Sequence, residues 1–280
     1  MPASPPSAEP ARRPWRPSLL ILATLALHLG ALVLLIARPG LWPYLLSAVI
    51  ANHLLVTAAG LWPRSRLLGP NLTRLPAASP AACVALTIDD GPDPQVTPGV
   101  LALLEAHGVR ATFFCIGSRV REHPELAREI CARGHEIGNH TEQHLMRFSL
   151  LGPHAMAREV AAAQETLAAV TGQTPRFFRA PAGLRNPFLE PLLARLDLRL
   201  VSWTRRGFDT VSGDASRVLA RLTRRLGAGD ILLLHDGHAA RTASGAPVIL
   251  AVLPPLLEQL RARGLRAVTL RAAFADAHGA

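Results

Sequence analysis

Two adjacent carboxylates, Asp89 and Asp90, end an apolar run in the 280-residue chain and precede Gly91 and Pro92. The run CVALTI predicts a buried strand, and the glycine and proline predict a corner where that strand enters a loop. At such a corner both carboxylates can reach one site. Because two bare carboxylates repel each other, the pair predicts a cation beside them, and the alternative is a turn with solvated charges.

A second candidate group is the segment HTEQH, which begins at His140 and ends at His144. Residues at i and i+4 share a helical face, ~5–6 Å apart, so the two imidazoles could bind one metal ion. The spacing alone is a weak signal, since two surface histidines are its commoner explanation. Two histidines and one carboxylate, however, are typical of hydrolytic zinc sites, and cobalt, manganese, nickel and iron accept the same ligands.

The elements that must position these groups begin at Cys83, where apolar runs start to alternate with segments of helical periodicity. The pattern predicts strands over 83–89, 111–117, 135–140, 177–181, 198–203, 230–235 and 265–270. Helices are predicted over 97–107, 118–133, 154–171, 187–195, 215–226 and 248–263. Strands apolar on both faces and separated by helices indicate a parallel sheet, so the fold class is α/β. We expect a distorted (β/α)7 barrel.

The candidate residues share a position in this pattern. In barrels of this type, functional side chains gather at the carboxyl ends of the strands. Asp89, His140, Arg179 and His235 all fall at or near the end of a predicted strand. The sequence therefore predicts one shared site.

Five segments in order carry a resemblance to a known family. TIDDGP and HTEQH resemble the first two motifs of the polysaccharide deacetylases, the NodB-homology group that includes chitin and peptidoglycan deacetylases. RAPAG from Arg179 resembles the third motif, the stretch from Trp203 to Asp209 a degenerate fourth, and LLLH ending at His235 the fifth. The resemblance covers about 83–270. It implies a metal-dependent hydrolase that removes N-acetyl groups from amino sugars.

The resemblance also implies a role for each matching residue. It implies metal ligation by Asp90, His140 and His144, and catalysis by Asp89 as general base and His235 as general acid. It also implies an ion pair of Arg179 with Asp89, charge tuning by Asp209, substrate contact by Pro181 and Trp203, and an acetyl-methyl pocket lined by Leu232 and Leu234. A zinc ion would lower the pKa of water to roughly 7. Arg206 and Thr210 stand where the fourth motif usually has Asp and Trp. The groove wall is therefore expected to differ.

The N-terminal part of the chain predicts a membrane segment over 17–62. Residues 1–16 are rich in proline and arginine and are expected to be disordered. The uncharged stretch at about 18–37 is long enough to cross the ~30 Å hydrocarbon core as a helix. A second at about 41–62 is a further transmembrane helix or, alternatively, an interfacial or re-entrant one. We expect a linker over 63–82, the deacetylase domain over 83–272 and a tail over 273–280.

Charge bears on partners and location. The net charge is +10 and every basic side chain is arginine. The arginines are scattered and aromatics are few, which argues against nucleic acid and favours anionic lipid or a phosphate-bearing substrate. Arginines before the first apolar segment and after the second place both flanks in the cytoplasm, so we expect a hairpin in a bacterial inner membrane. If the second segment does not span, the domain lies outside.

Three functions remain open on the sequence. The first is N-deacetylation of an acetylated amino-sugar glycan or of a lipid-linked sugar. A cytoplasmic domain would favour the lipid-linked sugar. Alternatives are an O-acetyl sugar esterase and a non-catalytic membrane-bound carbohydrate-binding protein. An inactive relative would be expected to lose a ligand or the base, and all of these residues are present.

Overall fold

The sheet is parallel and is assembled around its first strand. The computed structural model describes residues 14–275, so the prediction of disorder in 1–16 lies almost wholly outside the described residues. The strands are β1 Cys83–Asp89, β2 Thr112–Cys115, β3 Glu136–Asn139, β4 Phe177–Phe178, β5 Arg199–Leu200, β6 Arg205–Arg206, β7 Ile231–His235 and β8 Arg266–Val268. Their order is β5-β4-β3-β2-β1-β7-β6, with β8 against the start of β1.

Helices follow most strands, as predicted. They are α1 Leu19–Ala37, α2 Trp42–Leu61, α3 Thr97–Ala106, α4 Gly117–Glu122, α5 Pro124–Ala132, α6 Pro153–Thr171, α7 Leu189–Arg195, α8 Ala215–Thr223, α9 Val248–Ala262 and α10 Leu270–Ala275. The single helix predicted over 118–133 is two helices, because Pro124 lacks an amide hydrogen and disfavours helical geometry at His123, whose φ is −130°.

The parallel α/β prediction is confirmed, and the predicted distorted (β/α)7 barrel takes the form of a half-barrel. The described strands form a half-barrel with two edges, β5 and β6. The structure has one strand more than the seven predicted, and this strand, β6, consists of two arginines. It was missed because a two-residue strand of charged side chains carries no apolar run.

The predicted linker over 63–82 is part of the fold. Leu72 forms a parallel bridge with Val201 beyond the end of β5. Leu75 donates its backbone N–H to the carbonyl of Gly229 before β7, at 2.9 Å. The side chain of Leu75 is also buried. This segment therefore runs from the edge of the sheet at β5 to the start of β7. A leucine-containing stretch with several prolines resembles a linker by composition, and its packing on the sheet depends on tertiary contacts.

Alternation along the central strands sorts their side chains between two cores. Leu86 and Ile88 of β1 pack with Leu232 and Leu234 of β7 in the core beneath the outer helices. The intervening positions face the interior of the half-barrel, where Ala85 and Ile231 pack with Phe274 of α10. Phe274, two residues beyond the predicted boundary at 272, therefore packs inside the half-barrel.

The two N-terminal helices are long and apolar enough to cross a membrane, by length and composition. They pair with each other through a hydrogen bond from Thr24 to Asn52 at 3.1 Å and a contact between the Nε2 atoms of His28 and His53 at 3.2 Å. Most of their leucines are exposed. Their outer surfaces are thus apolar and uncovered by the rest of the described chain.

Candidate active site

The corner after β1 brings both carboxylates to one site. Asp89 ends the strand, and Asp90 adopts a left-handed conformation with φ of 74°. Aspartate tolerates this conformation better than most residues. The turn directs Asp90 toward His140 and His144, whose Nε2 atoms each lie 3.2 Å from its Oδ1. The expectation from the sequence that both side chains reach one site agrees with this geometry.

The segment that carries the two histidines is a loop, so the predicted helical face is wrong. Thr141 and His144 have positive φ values, 67° and 51°. The side chain of Asn139 accepts the N–H of Thr141, and the Thr141 hydroxyl accepts the N–H of His144, each at 3.0 Å. These local bonds compete with helix formation. The two rings nevertheless lie close together, with centroids 4.8 Å apart.

The three side chains fit a divalent cation. One ligand atom from each of Asp90, His140 and His144 lies within 4.8 Å of the others. Oδ1 of Asp90 and Nε2 of His144 are buried without a hydrogen-bond partner in the described structure, and buried polar atoms are rarely left in that state. Nδ1 of His140 lies 2.8 Å from the carbonyl of Arg179. If Nδ1 donates there, Nε2 keeps its lone pair for a metal.

Electrostatics in the cluster also suit a cation. Burial alone would raise the pKa of Asp90, but the neighbouring His140 and His238 hold that pKa well below its usual range. Burial and the neighbouring His140 lower the pKa of His144 to about 4. Burial would likewise lower the pKa of His140, yet the charges of Asp89 and Asp90 outweigh it and raise that pKa. The cluster thus offers a carboxylate, one neutral imidazole and one imidazole that a metal would deprotonate.

Asp89 is held in place by a buried arginine. Arg179 donates to Oδ1 of Asp89 at 2.6 Å and to the hydroxyl of Thr87 at 2.8 Å. Its other nitrogens donate to the carbonyls of Val201 and Ser202. Oδ2 of Asp89 faces the metal cluster, 3.9 Å from Nε2 of His140. One carboxylate oxygen is therefore committed to the arginine, and the other is directed at the cation site.

His235 lies beside Asp89 because β1 and β7 pair in register at these two residues. Asp209, fully buried, accepts from the backbone N–H of His235 at 2.7 Å and lies 2.9 Å from its Nδ1. Burial would lower the pKa of His235, but the hydrogen bond and charge of Asp209, with smaller contributions from Asp89 and Asp90, raise it. The side chain is thus suited to carry a proton near neutral pH.

These groups line one cavity of about 480 Å³. It contains the two carboxylates, both metal-site histidines and His235, and its walls include Ala182, Gly183, Trp203 and Arg206. Trp203 is where the sequence predicted a substrate contact. Pro181 is buried, and its neighbours Ala182 and Gly183 line the cavity in its place.

The predicted acetyl-methyl pocket needs a correction. Leu232 and Leu234 belong to the outer core, and it is Leu233 that lines the cavity. Side chains alternate along a strand, so Leu233 shares a face with His235 and its two neighbours point away. Counting back two residues from the histidine would have identified it.

His238 is a site residue that lies outside the five sequence motifs. Its Nδ1 lies 3.1 Å from Oδ2 of Asp90, and Arg119 donates to the Asp90 carbonyl at 3.0 Å and lies 3.1 Å from Nε2 of His238. His238 thus helps to fix the carboxylate. The only sequence signal is its place three residues after His235.

One cavity of this parallel α/β half-barrel thus brings together a carboxylate and two imidazoles that could hold a metal ion, with Asp89 and His235 beside them. Comparisons with known proteins identify the family. The model described as "Polysaccharide deacetylase" matches residues 77–201. A peptidoglycan-N-acetylglucosamine deacetylase of Bacillus cereus is 34% identical over 189 residues, which are 67% of this chain and 85% of that protein.

Two further matches agree. A chitooligosaccharide deacetylase of a Bradyrhizobium species is 38% identical over 156 residues, 55% of this chain and 71% of that protein. The structure of a family 4 carbohydrate esterase from Streptomyces lividans in complex with acetate aligns with a TM-score of 0.60 at 31% identity, covering 66% of this chain and 91% of that one. The chain belongs to the polysaccharide deacetylase family.

A more distant likeness shows why the site has to be argued residue by residue. A family 4 pseudoenzyme from Bacillus anthracis aligns with a TM-score of 0.65 at 23% identity, covering 72% of this chain and 68% of that one. At this identity the likeness shows the fold alone. The fold is therefore compatible with an inactive protein, and the case for activity rests on the side chains of the cavity.

Proposed function

We propose that this chain is a metal-dependent hydrolase that removes N-acetyl groups from amino sugars of a glycan or lipid-linked sugar, and that α1 and α2 hold it in a membrane. The observation that carries the proposal is the arrangement around the cation cluster. Asp89 and His235 end two paired strands, and both side chains line the same cavity as the three ligands. Hydrolysis of an amide needs both a base and an acid.

The cation would be held by Asp90, His140 and His144. Zinc fits this donor set, and cobalt, manganese, nickel and iron accept it as well. When bound, the ion would supply a Lewis acid that polarises the acetyl carbonyl and lowers the pKa of water.

The proton transfers belong to the protein's own side chains. Asp89 would accept a proton from the attacking water through Oδ2, since Arg179 occupies Oδ1. His235 would donate a proton to the departing amine, whose expulsion as a neutral group requires protonation. Water adds to the acetyl carbon, the carbon–nitrogen bond breaks, and acetate and a free amino sugar result. Leu233 would lie against the acetyl group, because its side chain faces the cavity beside His235.

Acetate release from chitin oligomers, peptidoglycan fragments and polyprenyl-linked N-acetyl sugars, with metal added back, tests the proposal. Asp89→Asn and His235→Ala should each lower the rate by about 10²–10⁴-fold while the metal content stays the same. Asp214→Asn and His107→Ala are matched controls, because both residues are exposed. Full activity in Asp89→Asn or His235→Ala would contradict the roles. Release from acetylated xylan alone would replace the proposal with an O-acetyl esterase.

The membrane part of the proposal is supported by two uncovered apolar helices joined by a short turn. Three arginines precede α1, and Arg64, Arg66 and Arg74 follow α2. The positive-inside rule then favours a hairpin whose catalytic domain lies in the cytoplasm. Reporters active in only one compartment, fused to the C-terminus, test the side. A reporter active only outside would contradict the hairpin.

A further inference from the structure

A second cavity adjoins the catalytic one and leads from it to the end of α2. It is lined by Ala58, Leu61, Trp62, Pro63, Arg64, Trp203, Arg206 and Phe208. Two of these residues, Trp203 and Arg206, also line the catalytic cavity. A ligand that passes them would contact both the hydrolytic site and the C-terminal turn of an apolar helix.

The wall that the two cavities share packs closely against the end of α2 and the residues that follow it. A Cβ atom added to Gly183 would lie 2.6 Å from the Trp203 ring and 2.7 Å from the side chain of Pro63. The hydroxyl of Ser202 donates to the carbonyl of Pro63, and the N–H of Arg185 donates to the carbonyl of Gly60 at 3.1 Å. The second cavity is therefore a fixed feature of the junction between α2 and the domain.

The charge of this cavity is positive. Its described lining includes two arginines and no carboxylate. The Arg206 guanidinium lies 4.9 Å from the Phe208 ring and 5.4 Å from the Trp203 ring. Its Nε is buried without a hydrogen-bond partner in the described structure, and Arg64 is exposed. Arg206 lines both cavities beside two aromatic rings, and a guanidinium in such a place can bind phosphate.

The other side of the cavity is apolar. Ala58, Leu61 and Trp62 come from the last turn of α2 and the residue after it. Leu61 and Trp62 are both more than half exposed. If α2 lies in a bilayer, this side faces the boundary between headgroups and acyl chains, where tryptophan is favoured.

Resting on the proposed function, we propose that the substrate is an acetamido sugar joined through phosphate to a membrane lipid. The sugar would occupy the catalytic cavity, and the phosphate would bind Arg206 and Arg64. The lipid chain would extend along the end of α2. A neutral glycan offers no anion to this pair of arginines. Arg206 also stands at a position where the related fourth motif usually has aspartate, which would repel phosphate.

The test compares acetate release from three substrates by the full chain in neutral phosphatidylcholine vesicles. They are N-acetylglucosamine linked through phosphate to a polyprenol, N-acetylglucosamine 1-phosphate, and chitotetraose. The variants are Arg206→Gln, Arg206→Lys and Arg266→Gln. Arg266 is the matched control, because it is exposed and pairs with Cys83 at the far end of β1 from Asp89.

The expected result is a preference of the native chain for the lipid-linked substrate over both others. The ratio of kcat/KM for the lipid-linked sugar to that for chitotetraose should fall roughly tenfold or more in Arg206→Gln, the scale for losing a hydrogen bond to a charged group. Arg206→Lys should lose less, and Arg266→Gln should keep the native ratio.

Four results would overturn the inference. A native preference for chitotetraose, or an unchanged ratio in Arg206→Gln, would remove it and leave the proposed deacetylase function intact. Equal use of the lipid-linked sugar and the free sugar phosphate would assign the arginines to phosphate without a lipid. Absence of acetate from all three substrates, with metal bound, would overturn the proposed function and this inference with it.

Discussion

Replacing Asp209 by asparagine isolates the contribution of one buried charge to the acid histidine. The carboxylate accepts from the backbone N–H of His235 and lies 2.9 Å from its Nδ1. Asparagine keeps nearly the same shape and still offers one acceptor oxygen, but it removes the negative charge. Burial then has less opposition, and the pKa of His235 should fall.

The size of the shift follows from the contact that is lost. A hydrogen bond to a charged group contributes about 1.5–3 kcal/mol, and one pKa unit corresponds to about 1.36 kcal/mol. The pKa of His235 should therefore fall by about one to two units. Asp89 and Asp90 also raise this pKa, and a bound cation would offset their charge, whereas the contact with Asp209 does not depend on the metal.

The assay is kcat/KM for acetate release as a function of pH. An acid must be protonated, so activity is lost as pH rises through the pKa of His235, and a lower pKa moves this alkaline limb to lower pH. Asp209→Asn should shift the limb by about one to two units with metal content unchanged. Asp214→Asn, at an exposed carboxylate, should leave it in place. An unshifted limb in Asp209→Asn would refute the assignment of His235 as the acid that Asp209 tunes.

Three other predictions concern the metal, the pH dependence of stability and the packed segment before β1. His144→Ala should weaken zinc binding, measured by calorimetry, by more than the roughly 10–100-fold that an outer partner contributes. Burial raises the pKa of Asp236 to about 7, so its ionisation destabilises the fold: the stability present below pH ~3.9 is lost as pH rises toward 7. In metal-free protein, Asp236→Asn should reduce this loss in urea unfolding, and an unchanged profile would contradict the prediction. Leu75→Ala should cost about 2–5 kcal/mol of unfolding free energy, whereas Leu67→Ala, at an exposed leucine, should cost little.

The sequence predicts the chemistry of the site better than its geometry. Asp90, His140 and His144 converge as the ligand types suggested, although the two histidines lie on a loop. Pattern reasoning assumed a helix because the i, i+4 spacing fits one. It could not foresee that Asn139 and Thr141 would bond the loop backbone and hold His144 at positive φ.

The fold, too, could be predicted from the sequence in part. Long apolar runs identified the strand that carries Asp89 and the strand that carries His235, because both are buried along their whole length. The two-residue strand of Arg205 and Arg206 has no such run, and its pairing with β7 depends on contacts distant in the sequence. Leu233 follows from strand alternation, since it lies two residues before His235 on the same face of β7, whereas the motif itself points to Leu232 and Leu234.

The segment predicted as a linker restricts how this enzyme would meet its substrate. Flexible residues after α2 would let the domain reach glycan far from the bilayer. Instead, the side chain of Asn71 donates to the carbonyl of Pro63 at 2.9 Å, Leu68 is buried, and Leu72 extends the sheet at Val201. With α2 in a membrane, these contacts would keep the catalytic cavity at the membrane surface. A substrate delivered at that surface by its own lipid meets this constraint, whereas a polymer remote from the membrane does not.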